Sequence, residues 1–317
     1  MTERPRLTIV LGMLFAALVF CSSFITASAQ AKRETASPPP TLSLDADGVQ
    51  MLYPAAPGAS FQLSGKDANA TTGFVIEKGT RATAGTDGAI AFWNLPSYAL
   101  NYASGGTGWT SRLHINAGGG KQQFTWKTQQ GYLFGPTDFR NQEFTVFLRV
   151  HQILDAQRAQ VTLKIRGGAH SSSAPDRAAC VMLTFSPVGH GSISRFAKEL
   201  THPLYDYITL TPAFAAALVE NAWVGLKMVS WNDPEDATRV VHRLYLDLEP
   251  FTPGSGKPRN GWRLFSEYVD VEGKSTGQYS KLVDWGGGQT TLRTDGFHDI
   301  DFALPSVREI VAPQHQP

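Results

Sequence analysis

Phe144–His151 reads FTVFLRVH, and its alternation decides the fold. Successive side chains of an extended chain point to opposite faces, so Phe144, Val146, Leu148 and Val150 share one face, leaving Thr145, Phe147, Arg149 and His151 on the other. Four apolar residues at period two mark a strand with one face in a core; a helical period would scatter them.

Three more segments repeat the pattern. VTLKIR, Val161–Arg166, sets Val161, Leu163 and Ile165 against Thr162, Lys164 and Arg166. WVGLKMVSW, Trp223–Trp231, sets Val224, Leu226 and Met228 against Trp223, Lys227 and Trp231. VVHRLYLDLE, Val240–Glu249, sets Val240, Leu244, Leu246 and Leu248 against Arg243, Tyr245, Asp247 and Glu249. The intervening ILDAQRAQ is expected to close the first two segments into a hairpin. The best helical candidate is the Ala-rich run Pro212–Trp223. Elsewhere 30 glycines and 19 prolines punctuate short segments, which predicts an all-β, antiparallel β-sandwich of jelly-roll type in a single domain.

The start of the chain stands apart from this pattern. MTERPR is basic, LTIVLGMLFAALVFCSSFIT is apolar and ASAQ offers small residues, so residues 1–29 read as a secretory signal cut after Ala29. A permanent anchor is the alternative; Phe20 before Cys21 disfavours lipidation. QAKRETASPPP has the composition of a tether, giving a linker over 30–46, a folded domain over 47–313 and a short tail over 314–317. Removing the signal takes away Arg4, Arg6 and Glu3 and leaves the mature chain balanced in charge, which argues against a nucleic-acid binder. Cys180 is then the lone cysteine, so no intramolecular disulfide forms and stability rests on packing. The expectation is a monomer, secreted or periplasmic, with no membrane association in its mature form.

If the four alternating segments share one sheet, its far face gathers Arg149, Lys164, Arg166, Lys227, Trp231, Arg243 and Tyr245. Rings among cations suit a sugar polymer, since pyranose faces stack on aromatics and cations pair with carboxylates. A merely solvated sheet face is the ordinary alternative. IRGGAH, Ile165–His170, and KELTHPLY, Lys198–Tyr205, add His170, Lys198, His202 and Tyr205. Pro203 biases His202 to extended backbone and removes a ladder donor, which marks a strand end.

The order of the segments DGVQMLYPAAPG, IRGGAH, RFAKELTHPLY, WVGLKMVSWN, VVHRLYLDLEP and WGGGQTTLRTDGFHDIDFALPSVREIV resembles secreted microbial proteins with a concanavalin A-like lectin/glucanase jelly roll, an architecture shared with polysaccharide lyases. The resemblance spans Asp47–Val311 and implies action on, or binding of, an acidic polysaccharide. A lyase neutralises the uronate carboxylate and then needs a base and an acid; that role set falls on Arg166 as neutraliser and on His202 and Tyr205. Lys198 and Trp231 would position substrate, with Arg149, His170, Lys227, Arg243 and Tyr245 as further contacts. The R-[ST]-E-L, Q-I-H and K-A-G-x-Y-N-Q motifs of alginate lyases are absent. A glucanase strand of the form E-x-D-x-E is also unmatched, because Tyr245–Glu249 reads YLDLE. Two other readings stay open: a non-catalytic glycan-binding or surface-adhesion module, and a structural envelope protein. No cofactor is expected; Asp299 and Asp301, on one face of FHDIDF, are the one candidate pair for calcium.

Overall fold

The alternating segments form strands, and their apolar faces meet. The computed structural model describes residues 43–63, 68, 74–76, 81–101, 105–116, 131–133, 135, 138–168, 178–186, 193–274 and 280–314. These residues contain sixteen strands and no α-helix. In chain order they begin β1 (Ala55–Gln62), β2 (Phe74–Ile76), β3 (Thr83–Asp87), β4 (Ile90–Leu95), β5 (Tyr98–Asn101), β6 (Thr107–Asn116), β7 (Gln142–Ile153) and β8 (Gln160–Gly167). There follow β9 (Cys180–Ser186), β10 (Ile193–Thr201), β11 (Leu204–Leu210), β12 (Trp223–Asn232), β13 (Arg239–Asp247), β14 (Arg263–Val271), β15 (Gln289–Asp295) and β16 (Phe297–Ile310).

Every pairing of these strands is antiparallel, and they make two sheets of eight. The first sheet runs β14-β13-β12-β7-β16-β4-β3, with β1 also on β16; the second runs β11-β10-β9-β8-β15-β6-β2, with β5 also on β6. The protein is thus an all-β jelly-roll sandwich. Val146, Leu148, Leu226 and Leu244 from the first sheet pack against Val161, Leu163, Leu183 and Leu292 from the second in one continuous core.

The parities of β7, β12 and β13 hold, since Phe144, Val146, Leu148, Val150, Val224, Leu226, Met228, Leu244 and Leu246 are all buried in that core; Leu248, expected in the same set, lies past the end of β13 and is exposed. Three expectations need correction. β7 and β8 are not a hairpin: β7 pairs with β12 and β16, β8 with β9 and β15. The connection carrying Asp155 crosses from one sheet to the other, so Lys164 and Arg166 cannot join Arg149, Lys227 and Arg243 on a common face. The Ala-rich segment is not helical either; Phe214, Ala216 and Leu218 face the core while Ala215, Ala217 and Val219 are exposed, an extended alternation. The third correction is Arg166. It has a φ of 56°, and the β8–β15 register slips between Gln289 and Thr291. That bulge reverses the alternation and turns Arg166 inward.

Close backbone approach, more than turning, explains the paired glycines of IRGGAH and WGGGQ. A Cβ on Gly287 would lie 2.0 Å from the Arg166 carbonyl carbon, and one on Gly167 would lie 2.9 Å from the Cβ of Cys180. Two glycine stretches read separately as turns therefore pack against each other. The signal segment, the tether and His170 lie outside the described residues. No helix among the described residues is long and apolar enough to cross a membrane.

Candidate functional site

The residues expected to converge are divided among three environments. Arg149, Lys227, Trp231, Arg243 and Tyr245 lie on the outer face of the first sheet, which is largely covered. Leu52 and Tyr53 pack there on Val229, Trp231 and Val241, and Val49 packs with Phe147, Phe251 and Trp262. The cations are occupied in holding that cover. Arg149 donates to Asp301 at 2.6 Å and to Asp87 at 2.5 Å, with Phe92 and Trp223 each 4.9 Å from its guanidinium. Lys227 donates to Glu143 at 2.9 Å and to the Gln50 carbonyl, 4.6 Å over Trp262. Arg243 pairs with Glu267 at 2.5 Å and donates to the Tyr53 hydroxyl at 3.0 Å, the distance at which Tyr245 also meets that hydroxyl.

Arg166 and Lys198 occupy a second environment, between the sheets. Both are fully buried. Lys198 shares its inward parity with Ser194 and Phe196 and pairs with Asp270 of β14 at 2.6 Å. Arg166 reaches Asn232 of β12 at 2.7 Å. Neither presents its charge to solvent as expected. The calcium candidates are likewise engaged: Asp301 holds Arg149 and His151, whereas Asp299, at a φ of 43°, accepts from Ser97. No group of three or more His, Cys, Asp or Glu among the described residues is arranged to hold a metal ion.

The third environment holds His202 and Tyr205, and it forms a coherent site. On the outer face of the second sheet, strand register aligns His114, Thr291, Lys164, Met182, Ala197 and Tyr207 in one lateral row across six strands. The next row is Arg112, Arg293, Thr162, Thr184, Arg195 and Thr209. Across the rows Lys164 donates to Glu199 at 2.5 Å, and the other oxygen of Glu199 accepts from His202 Nδ1 at 2.6 Å. Glu199 is fully buried and Lys164 nearly so, while the His202 side chain is 27% exposed. His202 sits there because the β10–β11 register slips between Lys198 and Thr201, and Pro203 ends the ladder at the hairpin tip.

Cys180, Met182 and Ala197 make a small apolar bed for Tyr205. Lys164 Nζ lies 5.3 Å above that ring, Arg293 lies 6.0 Å from it, and the half-exposed Tyr207 stacks beside it at 6.0 Å. Burial pushes the Tyr205 phenol up to about 12, against the pull of Lys164, and raises Tyr207 as well. Burial also pushes the Cys180 thiol up to about 12. It opposes the charge on Lys164, yet the acidic groups of Cys180, Glu199 and Tyr205 outweigh it and hold the ammonium above its ordinary range. Arg293, 2.8 Å from Asp295, is held protonated in the same way.

Chemically this is an imidazole oriented by a buried carboxylate, two protonated phenols and a row of arginines on one sheet face, of which Arg112 is buried and Arg293, paired with Asp295, has 11% of its side chain exposed. Nδ1–H donation to Glu199 leaves Nε2 of His202 as the basic nitrogen. Glu199, Tyr207, Arg293, Arg112 and His114 are absent from the expected set. The signal for them was the same alternation, carried by SRLH, AKEL, LYDY and TTLRTD.

No protein-family model and no curated protein matches the chain. Among solved structures, an endo-β-1,4-glucuronan lyase from the fungus Trichoderma reesei is similar at a TM-score of 0.40 and 12% identity, covering 78% of this chain and 94% of that one. A lectin from Griffonia simplicifolia is similar at 0.36 and 10% identity, covering 79% and 98%. An alginate lyase from Chlorella virus is similar at 0.36 and 8% identity, covering 76% and 94%. Similarity at this level leaves activity to be argued from the site.

Proposed function

We propose that the outer face of the second sheet binds an acidic polysaccharide and cleaves it by β-elimination. The observation that carries this reading is the chain from Lys164 through the buried Glu199 carboxylate to His202, beside Tyr205 and the arginine row. Arg293, flanked in register by Arg112, neutralises the uronate carboxylate and so acidifies the C5 proton. His202 Nε2 removes that proton, the electron pair forms the C4–C5 double bond, and the C4–O bond breaks. Tyr205, protonated at any physiological pH, delivers a proton to the leaving oxygen. Lys164 and Glu199 are positioning groups that fix the imidazole.

A panel of uronate polymers, with ultraviolet absorbance of the unsaturated product as readout, tests the proposal; a panel without product sinks the elimination step. The stacked pair of Tyr205 and Tyr207, with Tyr207 46% exposed, supports a second reading as a non-catalytic glycan-binding module. That reading predicts retention of the protein on a uronate matrix without any product. Either role fits export directed by residues 1–29 and a monomer acting outside the cytoplasm.

A further inference from the structure

Arg166 is fully buried at the end of the sandwich, and its charge has no carboxylate at ion-pair distance among the described residues. Its Nη1 donates to two neutral acceptors, the Asn232 side chain at 2.7 Å and the Val283 carbonyl at 2.8 Å. Among the described residues Nε and Nη2 have no hydrogen-bond partner. The surroundings are equally rich in unspent donors. Ser230 and His242 are a register pair on β12 and β13, both face inward and both are fully buried; among the described residues neither the Ser230 hydroxyl nor either His242 ring nitrogen has a partner, and the neutral imidazole supplies one N–H donor. Asn232, the Arg166 acceptor, lies two residues beyond Ser230 on the same face. Lys198 is close enough for its charge, with that of Arg166, to act on His242, but it is already matched by Asp270 at 2.6 Å.

One segment packs over these groups. Lys198 donates to the Lys281 carbonyl at 2.7 Å, Arg166 to that of Val283 and Asn232 to that of Asp284 at 2.7 Å. Glu309, Asp284 and Asp270 act on the Arg166 charge through space, without an ion-pair contact, and burial outweighs them; buried donors in folded proteins are nearly always satisfied, and a buried cation without a contacting counter-charge is costly.

We propose that Arg166, with Ser230 and His242, forms an internal site for a small monovalent anion of the halide class, beneath residues 281–284. A halide accepts from several N–H and O–H donors at once and balances the guanidinium charge. The site stands apart from the proposed glycan face on the outside of the same sheet.

Melting of the full chain in sodium chloride and in sodium gluconate at equal ionic strength tests this. In chloride the midpoint is expected to rise by about 3–5 °C for each tenfold increase above the dissociation constant. Arg166→Met removes the charge at similar volume; the variant is expected to melt at the same temperature in both salts. Identical midpoints for the unsubstituted protein in the two salts overturn the proposal, as does a chloride response that survives in Arg166→Met. Should that variant fail to fold, crystals of the unsubstituted protein grown in bromide decide the matter. An anomalous peak at Arg166 Nε and Nη2 supports the site, and an ordered water alone there refutes it.

Discussion

Replacing Glu199 by Gln removes the charge that Lys164 and His202 share. The buried carboxylate accepts from Lys164 at 2.5 Å and from His202 Nδ1 at 2.6 Å, and Lys164 has a side chain only 4% exposed. Breaking a buried pair from one side leaves an uncompensated charge and costs roughly 3–5 kcal/mol. At about 2–4 °C per kcal/mol for a domain of this size, the midpoint should fall by about 6–20 °C. Adding Lys164→Met should recover most of the loss, because the buried cation is then gone as well. Thermal melting of the single and double variants, followed by circular dichroism, completes a double-mutant cycle. If Glu199→Gln melts within a degree or two of the unsubstituted protein, or if the double variant is less stable than the single, the buried-pair reasoning fails.

Two further outcomes follow from the same structure. Burial and the charges of Arg166 and Lys198 hold His242 well below the ordinary histidine range. The unfolded chain therefore takes up this proton first: the contribution of His242 to stability is flat above pH ~6.5 and falls below it by up to about 1.4 kcal/mol per pH unit. His242→Phe should flatten that limb in urea titrations between pH 5 and 7, and an unchanged limb would exclude His242 as its source. Trp231→Ala should lower stability by about 3–5 kcal/mol, because the ring is 5% exposed and packs on Tyr53 at 5.3 Å beneath Arg243. The variant should still bind uronate polymer when folded, and selective loss of binding would return Trp231 to a ligand site.

Period-two alternation was enough to assign the faces of β7, β12 and β13, since the extra residues at their register slips fall on the partner strands β14 and β16 and leave their own alternation intact. Alternation fails where the backbone departs from the pleat. Arg166 follows three correctly read positions of β8, yet a positive φ turns it inward, and nothing in IRGGAH separates that bulge from a regular strand end. Lys198 was legible, because it shares the parity of Phe196, a core residue. Sheet membership was not legible for β8, because a short connection serves a hairpin and a crossing between sheets equally well. The site itself was half visible. KELTHPLY held His202, Tyr205 and the unrecognised Glu199 within eight residues, whereas Lys164, Arg293 and Arg112 join them only through the order β11-β10-β9-β8-β15-β6. The cations of the first sheet misled for a physical reason. Arg149, Lys227 and Arg243 sit over aromatic rings and carboxylates, the composition of a glycan cleft, but they use them to fasten residues 49–53 and the loop bearing Phe251.

The most direct test of the central claim is the rate of unsaturated-product release from uronate polymers by the native protein and by Tyr205→Phe. The account predicts ultraviolet-absorbing product from at least one polymer, and a fall of about 10²–10⁴ in kcat when the phenolic proton is removed while the ring remains on its apolar bed. Equal rates for the two proteins would contradict the assignment of Tyr205, and the absence of both product and binding on every polymer would contradict the account as a whole.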